Sequence, residues 1–179
     1  MESRLYVDMD GVLVDFQKGA EEYFKVSVPG QGSSRQQIDF TSLWEGPKGW
    51  RQLMKDWPTF WMDLDPLESF PQLWAIVKRY HPAILTATPS GWSSSAAGKR
   101  IWCQRHLPNW GHHRYEEFHA VSRPQKRQFA VQSDGTPNLL IDDYDKNIRE
   151  WESDGGVGIL YRSGRLQHIT AKLYKYMPK

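Results

Sequence analysis

The sequence predicts an α/β fold: a three-layer α/β/α core on a parallel sheet of about five strands, with a small, mainly helical cap inserted after the first strand and helix. Three observations predict it. Short, continuously apolar runs alternate with amphipathic segments, the pattern of strands buried on both faces of a parallel sheet. Several of those runs end in carboxylates or hydroxyls, at the edge where open α/β sheets bind ligands. Residues 25–66, by contrast, have no clean period and are rich in Gly, Pro, Ser and Trp, which marks an insertion with small helices of its own.

Taken in order, Leu5-Tyr6-Val7 makes a first strand that runs straight into Asp8-Met9-Asp10-Gly11. Asp15 to Phe24 reads as a helix with Phe16, Ala20, Tyr23 and Phe24 on one stripe. After the insertion, Ser69 is expected to cap, and Pro71 to open, a helix reaching about Tyr80 with Phe70, Leu73, Trp74 and Val77 buried. A second strand lies within Pro82–Pro89, and a helix runs from Ser93-Ser94-Ser95 to near His106. Phe118-His119-Ala120-Val121 is a weak third strand, followed by Ser122-Arg123-Pro124 and a short helix carrying Lys126. The fourth strand, Asn138-Leu139-Leu140-Ile141, ends on Asp142-Asp143. A helix from Tyr144 to about Ser153, stopped by Gly155-Gly156, precedes the fifth strand, Val157–Tyr161. Ser163 is expected to cap a last helix on which Leu166, Ile169, Leu173 and Met177 share a face. The division this implies is a core of residues 1–24 and 67–179 and a cap of residues 25–66.

Composition narrows the class. A chain of 179 residues is long enough for one real core, and a net charge of +2 neither demands nor excludes a nucleic-acid partner. The only cysteine, Cys103, excludes an internal disulfide and a thiolate zinc site, and reads as a packed residue. His112-His113 reads as loop, because no further His or acidic residue stands at zinc-ligand spacing. The N-terminus lacks the build of a signal peptide and no apolar run reaches membrane-spanning length, so a cytoplasmic protein is expected.

Along a strand, Asp8 and Asp10 begin on the same side, and their repulsion calls for a cation or a shared proton. Gly11 lets the backbone turn away and open a site there. The rim also receives Thr86 and Thr88 after the second strand, Lys126 just beyond the third, and Asp142 and Asp143 after the fourth. Such an inventory suits phosphoryl transfer through a covalent aspartate. A carboxylate nucleophile and a phosphate dianion repel, so a metal and a lysine must neutralise the pair. Asp8 would attack, while Asp10 would protonate the leaving alkoxide and later take a proton from the hydrolytic water. Thr86 would donate to a phosphate oxygen, Lys126 would hold phosphate and Asp8 together, and Asp142 and Asp143 would complete an oxygen-rich Mg²⁺ site.

Val7-Asp8-Met9-Asp10-Gly11-Val12, Leu85-Thr86, Lys126 and Leu139-Leu140-Ile141-Asp142-Asp143 resemble, in order, the four motifs of the haloacid dehalogenase superfamily. The resemblance implies a Rossmann-like core, Mg²⁺, and a phosphatase rather than a dehalogenase, since Asp10 stands two residues after the nucleophile. It also implies that Asp10 ligates the metal through its main-chain carbonyl, and that of the acidic pair Asp143 binds directly. Asp8 to Phe16, the insertion after the first helix, Asn147-Ile148, Trp151 and Gly155-Gly156-Val157-Gly158-Ile159 resemble the 5'(3')-deoxyribonucleotidase branch with its phage and bacterial relatives. That branch removes phosphate from deoxynucleoside monophosphates and holds the base with cap aromatics.

Nine Trp stand in the chain, and Trp44, Trp50, Trp57 and Trp61 follow in close succession. With Phe60 they read first as the small core of the cap, with Phe16, Phe60 and Trp61 as candidates to hold a base and Thr88 as a further substrate contact. The expected partner is a small-molecule phosphomonoester, with neither a membrane nor a stable nucleic-acid complex, and a homodimer is allowed. Competing readings are a nucleic-acid 3'-end phosphatase, a small sugar-phosphate phosphatase, and a catalytically silent domain that binds a nucleotide or protein.

Overall fold

Strands β1 (Leu5–Val7), β2 (Ala83–Ala87), β3 (Phe118–Val121), β4 (Leu139–Asp142) and β5 (Val157–Leu160) form one parallel sheet in the order β3-β2-β1-β4-β5. The structure, a computed structural model, describes residues 2–27, 53, 57–88, 93–107 and 117–178, without the side chains of 24–27. Trp44, Trp50, His112, His113 and the side chain of Phe24 therefore lie outside the described residues. β1 is central, with Val7 beside Ile84 of β2 and Ile141 of β4. The winding reverses at β1, so the carboxyl ends of β1 and β4 are where a sheet of this kind opens a crevice.

Alternation along the strands feeds two cores, one on each face. Leu5, Val7, Ile84, Leu139, Ile141 and Ile159 pack on one side, where α3 (Phe70–Val77), α4 (Ser93–His106) and α6 (Leu166–Tyr176) contribute Leu73, Trp102 and Ile169. Tyr6, Leu85 and Leu140 point to the other, against Ile148 and Trp151 of α5 (Asp145–Ser153). Helices on both faces and an all-parallel sheet are the expected α/β architecture. The stripe foreseen for α3 is the buried one, Phe70, Leu73, Trp74 and Val77.

Two local expectations are corrected, and a third is sharpened. Ser69 stands at the start of α3 but makes no capping bond, because its hydroxyl meets the Tyr161 hydroxyl instead. The last helix begins at Leu166 rather than after Ser163, which lies in a turn with Gly164 at φ +81°. Lys126 sits on a 3-10 helix, Arg123–Phe129, which opens with a capping box: the Ser122 N–H donates to Gln125 Oε1 at 3.0 Å.

α1 (Phe16–Ser27) follows β1, and the described part of the insertion includes Leu53 and α2 (Phe60–Asp63). The chain just before α1 is tied to the far end of this segment: the Asp15 N–H donates to Asp65 O at 2.8 Å, and the Leu67 N–H to Leu13 O at 2.9 Å. α4 carries Gly98 where it meets α2, and a Cβ there would lie 2.8 Å from Trp61 Cβ. Only a glycine lets the two helices approach so closely. Among the described residues no helix is long and apolar enough to cross a membrane.

Candidate active site

The end of β1 places Asp8 in the interior, 6% exposed, with its backbone N–H still donating to Ile141 O of β4. Beyond it the chain folds into a tight turn, in which the N–H groups of Val12, Leu13 and Val14 all donate to Met9 O. Asp8 Oδ1 accepts from the Met9 N–H at 2.7 Å, and Oδ2 meets Lys126 Nζ at 2.8 Å. The same ammonium donates to Asp142 Oδ2 at 2.8 Å, so Lys126 bridges the ends of β1 and β4. Asp142 is wholly buried; its Oδ1 accepts from the Tyr144 N–H and its Oδ2 also accepts from Asn147 Nδ2, at 2.8 and 2.9 Å.

Asp8, Asp142 and Asp143 each present an oxygen within 4.8 Å of the others. Their electrostatics are incomplete. Burial pushes the Asp8 carboxyl well above the ordinary carboxylate range, and the Asp142, Asp10 and Asp143 charges add to this against the pull of Lys126. Asp143 is raised to about 6, first by burial and then by Asp142 and Asp10. Lys126 is raised to about 12: burial opposes its charge, but Asp8 and Asp142 outweigh burial. Three carboxylates around one ammonium leave an excess of negative charge that a divalent cation with a preference for oxygen would neutralise. The residues present fit such an ion.

The structure brings Asp8, Asp142, Asp143 and Lys126 together, and it ties Thr86 to Asp10 through a residue that the motifs do not single out. Lys99 of α4 donates from Nζ to Asp10 Oδ2 at 2.5 Å, to Thr86 Oγ1 at 3.0 Å and to Ala87 O at 2.8 Å. The nearest sequence signal is its setting, Ala96-Ala97-Gly98-Lys99, a long cation among small residues on the helix that follows Thr86. Thr88 lies just past β2, with its N–H donating to Val121 O at 2.8 Å. Phe60 and Trp61 are buried in the larger core, whereas Phe16 is half-buried and stacks on Trp61 with ring centroids 5.7 Å apart. Trp57 packs edge-on against Phe60.

Asn147 is the second position that the motif reading left without a role. Its amide is oriented from behind by Arg123, whose Nη1 donates to Asn147 Oδ1 at 3.1 Å and to Glu150 at 2.8 Å. Cys103 is buried against Met9, its thiol pushed up to about 12 by burial, as a packed residue would be.

A parallel α/β sheet with an acid cluster after β1 and β4 has the fold of the haloacid dehalogenase-like hydrolases. Solved structures with this fold include a haloacid dehalogenase-like hydrolase of Xanthomonas campestris, 10% identical, covering 98% of this chain and 91% of that one at a TM-score of 0.62. A family member of Bacteroides thetaiotaomicron, solved as a magnesium complex, is 17% identical over 92% of this chain and 95% of its own, with a TM-score of 0.51. The L-2-haloacid dehalogenase of Xanthobacter autotrophicus is 14% identical over 100% and 85%, with a TM-score of 0.54. At these identities the likeness is one of fold. No curated protein matches the chain. The family described as "5' nucleotidase, deoxy (Pyrimidine), cytosolic type C protein" matches residues 2–175. The chain belongs to that family, and is an enzyme of the phosphatase type.

Proposed function

We propose that this protein is a Mg²⁺-dependent phosphomonoesterase that works through a phospho-aspartate and dephosphorylates deoxynucleoside monophosphates. The observation that carries the reading is the position of Asp8: a buried carboxylate held by Lys126 at 2.8 Å inside a cluster with Asp142 and Asp143. A carboxylate kept only for stability is poorly placed there, since burial and like charges both oppose it.

In this reading Asp8 attacks phosphorus, and the phosphoryl group passes from the ester oxygen to the carboxylate. Asp10 gives its proton to the departing alkoxide, then accepts one from the water that releases phosphate from Asp8. Thr86 and Lys126 orient the phosphoryl oxygens and offset their charge. A magnesium ion would be held by Asp8, Asp143, the Asp10 carbonyl and, at one remove, Asp142. When bound it would supply the positive charge that lets a carboxylate approach a phosphate dianion. We assign the insertion, residues 25–66, as a cap over this rim and the remainder, 1–24 and 67–179, as the core. Phe16, half-buried and stacked on Trp61, is our leading candidate to meet a base, with Phe60, Trp61 and Thr88 as further candidate substrate contacts.

The family description supports a deoxynucleotide as substrate. A phosphate-release panel of ribo- and deoxynucleoside 3'- and 5'-monophosphates, sugar phosphates and 3'-phosphorylated oligonucleotides tests it. Preference for a deoxynucleoside monophosphate is the expected result. Turnover of oligonucleotides or sugar phosphates alone would refute it.

A further inference from the structure

Lys99 is the charged side chain whose burial most needs a reason. It is 0% exposed, and taking an ammonium out of water costs several kcal/mol unless its hydrogen bonds are made good. All three are, on Asp10 Oδ2, Thr86 Oγ1 and Ala87 O. A fourth contact covers the ammonium: Nζ lies 4.4 Å from the centre of the Trp61 ring, on the inserted segment, which Gly98 allows α4 to approach. The two oxygens of Asp10 are therefore unlike. Oδ2 is taken by Lys99, whereas Oδ1 is buried with no hydrogen-bond partner among the described residues. A buried carboxylate oxygen of this kind is one that a ligand completes.

We propose that Lys99 is a positioning residue that selects Asp10 Oδ1 as the oxygen that moves the proton. The inference rests on the phosphoryl-transfer function proposed above. In the first half-reaction the Oδ1–H bond breaks as its proton passes to the leaving alkoxide, the phosphorus–ester bond breaks and the Asp8–phosphorus bond forms. In the second, water adds to phosphorus, its proton returns to Oδ1, and the Asp8–phosphorus bond breaks. Lys99 touches neither bond. It fixes the carboxylate plane, and through Trp61 it links the acid to the packing of the insertion.

The test compares kcat/KM for p-nitrophenyl phosphate, whose phenolate leaves without a proton, with that for a deoxynucleoside 5'-monophosphate, whose alkoxide needs one. Lys99→Met should lower the nucleotide value by about 10²-fold more than the aryl value, with the change in kcat rather than KM. Lys99→Gln, which keeps a donor in place, should lose less of this difference and serves for the same comparison if Lys99→Met does not fold. In an Asp10→Asn background, Lys99→Met should add almost nothing, because the two act as a unit. Equal losses on both esters, or a Lys99→Met effect undiminished in Asp10→Asn, would overturn the role of Lys99 while leaving the phosphatase reading intact. A wild-type protein that turns over neither ester sinks both.

Discussion

A Cβ on Gly11 would fall 2.0 Å from Asp143 Oδ2. The residue that turns the chain away from β1 is thus also the floor on which the last carboxylate of the site rests. Gly11 has φ +71°, and its N–H donates to Val14 O at 3.0 Å, closing the turn that follows Asp10. One position meets a backbone demand and a space demand, and only glycine satisfies both.

Gly11→Ala should therefore fail twice. The left-handed conformation costs about 1–2 kcal/mol for a residue with a Cβ, and the methyl group displaces Asp143. Denaturant melts should show a stability loss of at least that size, and a magnesium titration of activity should move to higher concentration. A variant that lost stability but kept its magnesium dependence would separate the two demands.

Asp8→Asn removes the proposed nucleophile with almost no change of shape. The amide oxygen can still accept from the Met9 N–H, and Lys126, which loses the Asp8 oxygen, keeps its bond to Asp142. Turnover of any aryl phosphate should fall by about 10³-fold or more, with the fold retained. Retained turnover would refute the covalent mechanism.

Asn147→Ala tests the support behind Asp142. Its Nδ2 donates to Asp142 Oδ2 at 2.9 Å, and Arg123 holds its other end. Groups that orient the carboxylates of a metal site typically contribute 10- to 100-fold in metal affinity or activity. Loss of about that size, measured as the magnesium concentration for half-maximal activity, is expected with the fold retained. No change would leave Asn147 a packing residue.

The reach of the sequence is clearest where a side chain's role follows from its own strand. Asp8, Thr86 and Asp142 end or follow apolar runs, so sheet order brings them to one edge whatever the loops do. Lys99 was not legible, because its role depends on the depth at which α4 packs. That depth is set by Gly98 against Trp61, a contact between segments far apart in the chain. Ser69 and Ser163 misled for a related reason. A serine before a helix is a cap only if nothing better takes its hydroxyl, and Tyr161 took that of Ser69.

Protons and a divalent cation should compete for the same cluster, each stabilising it in the absence of the other. Asp143 has an ordinary carboxyl value of 3.8 and is raised to about 6 in the fold by burial and by Asp142 and Asp10. Between those values the folded chain binds more proton than the unfolded one, so the Asp143 contribution to metal-free stability falls as pH rises through the window and is spent above about 6. The raised Asp8 carboxyl pushes the same way. A divalent cation favours the charged carboxylates and competes with the protons, so it should stabilise little at pH 5 and much more at pH 7.5. At about 100 times its dissociation constant it should add about 2.7 kcal/mol at the higher pH. Melting curves in EDTA and in magnesium at the two pH values measure this directly. EDTA should also abolish turnover, and an equal magnesium effect at both pH values would remove Asp143 from the metal site.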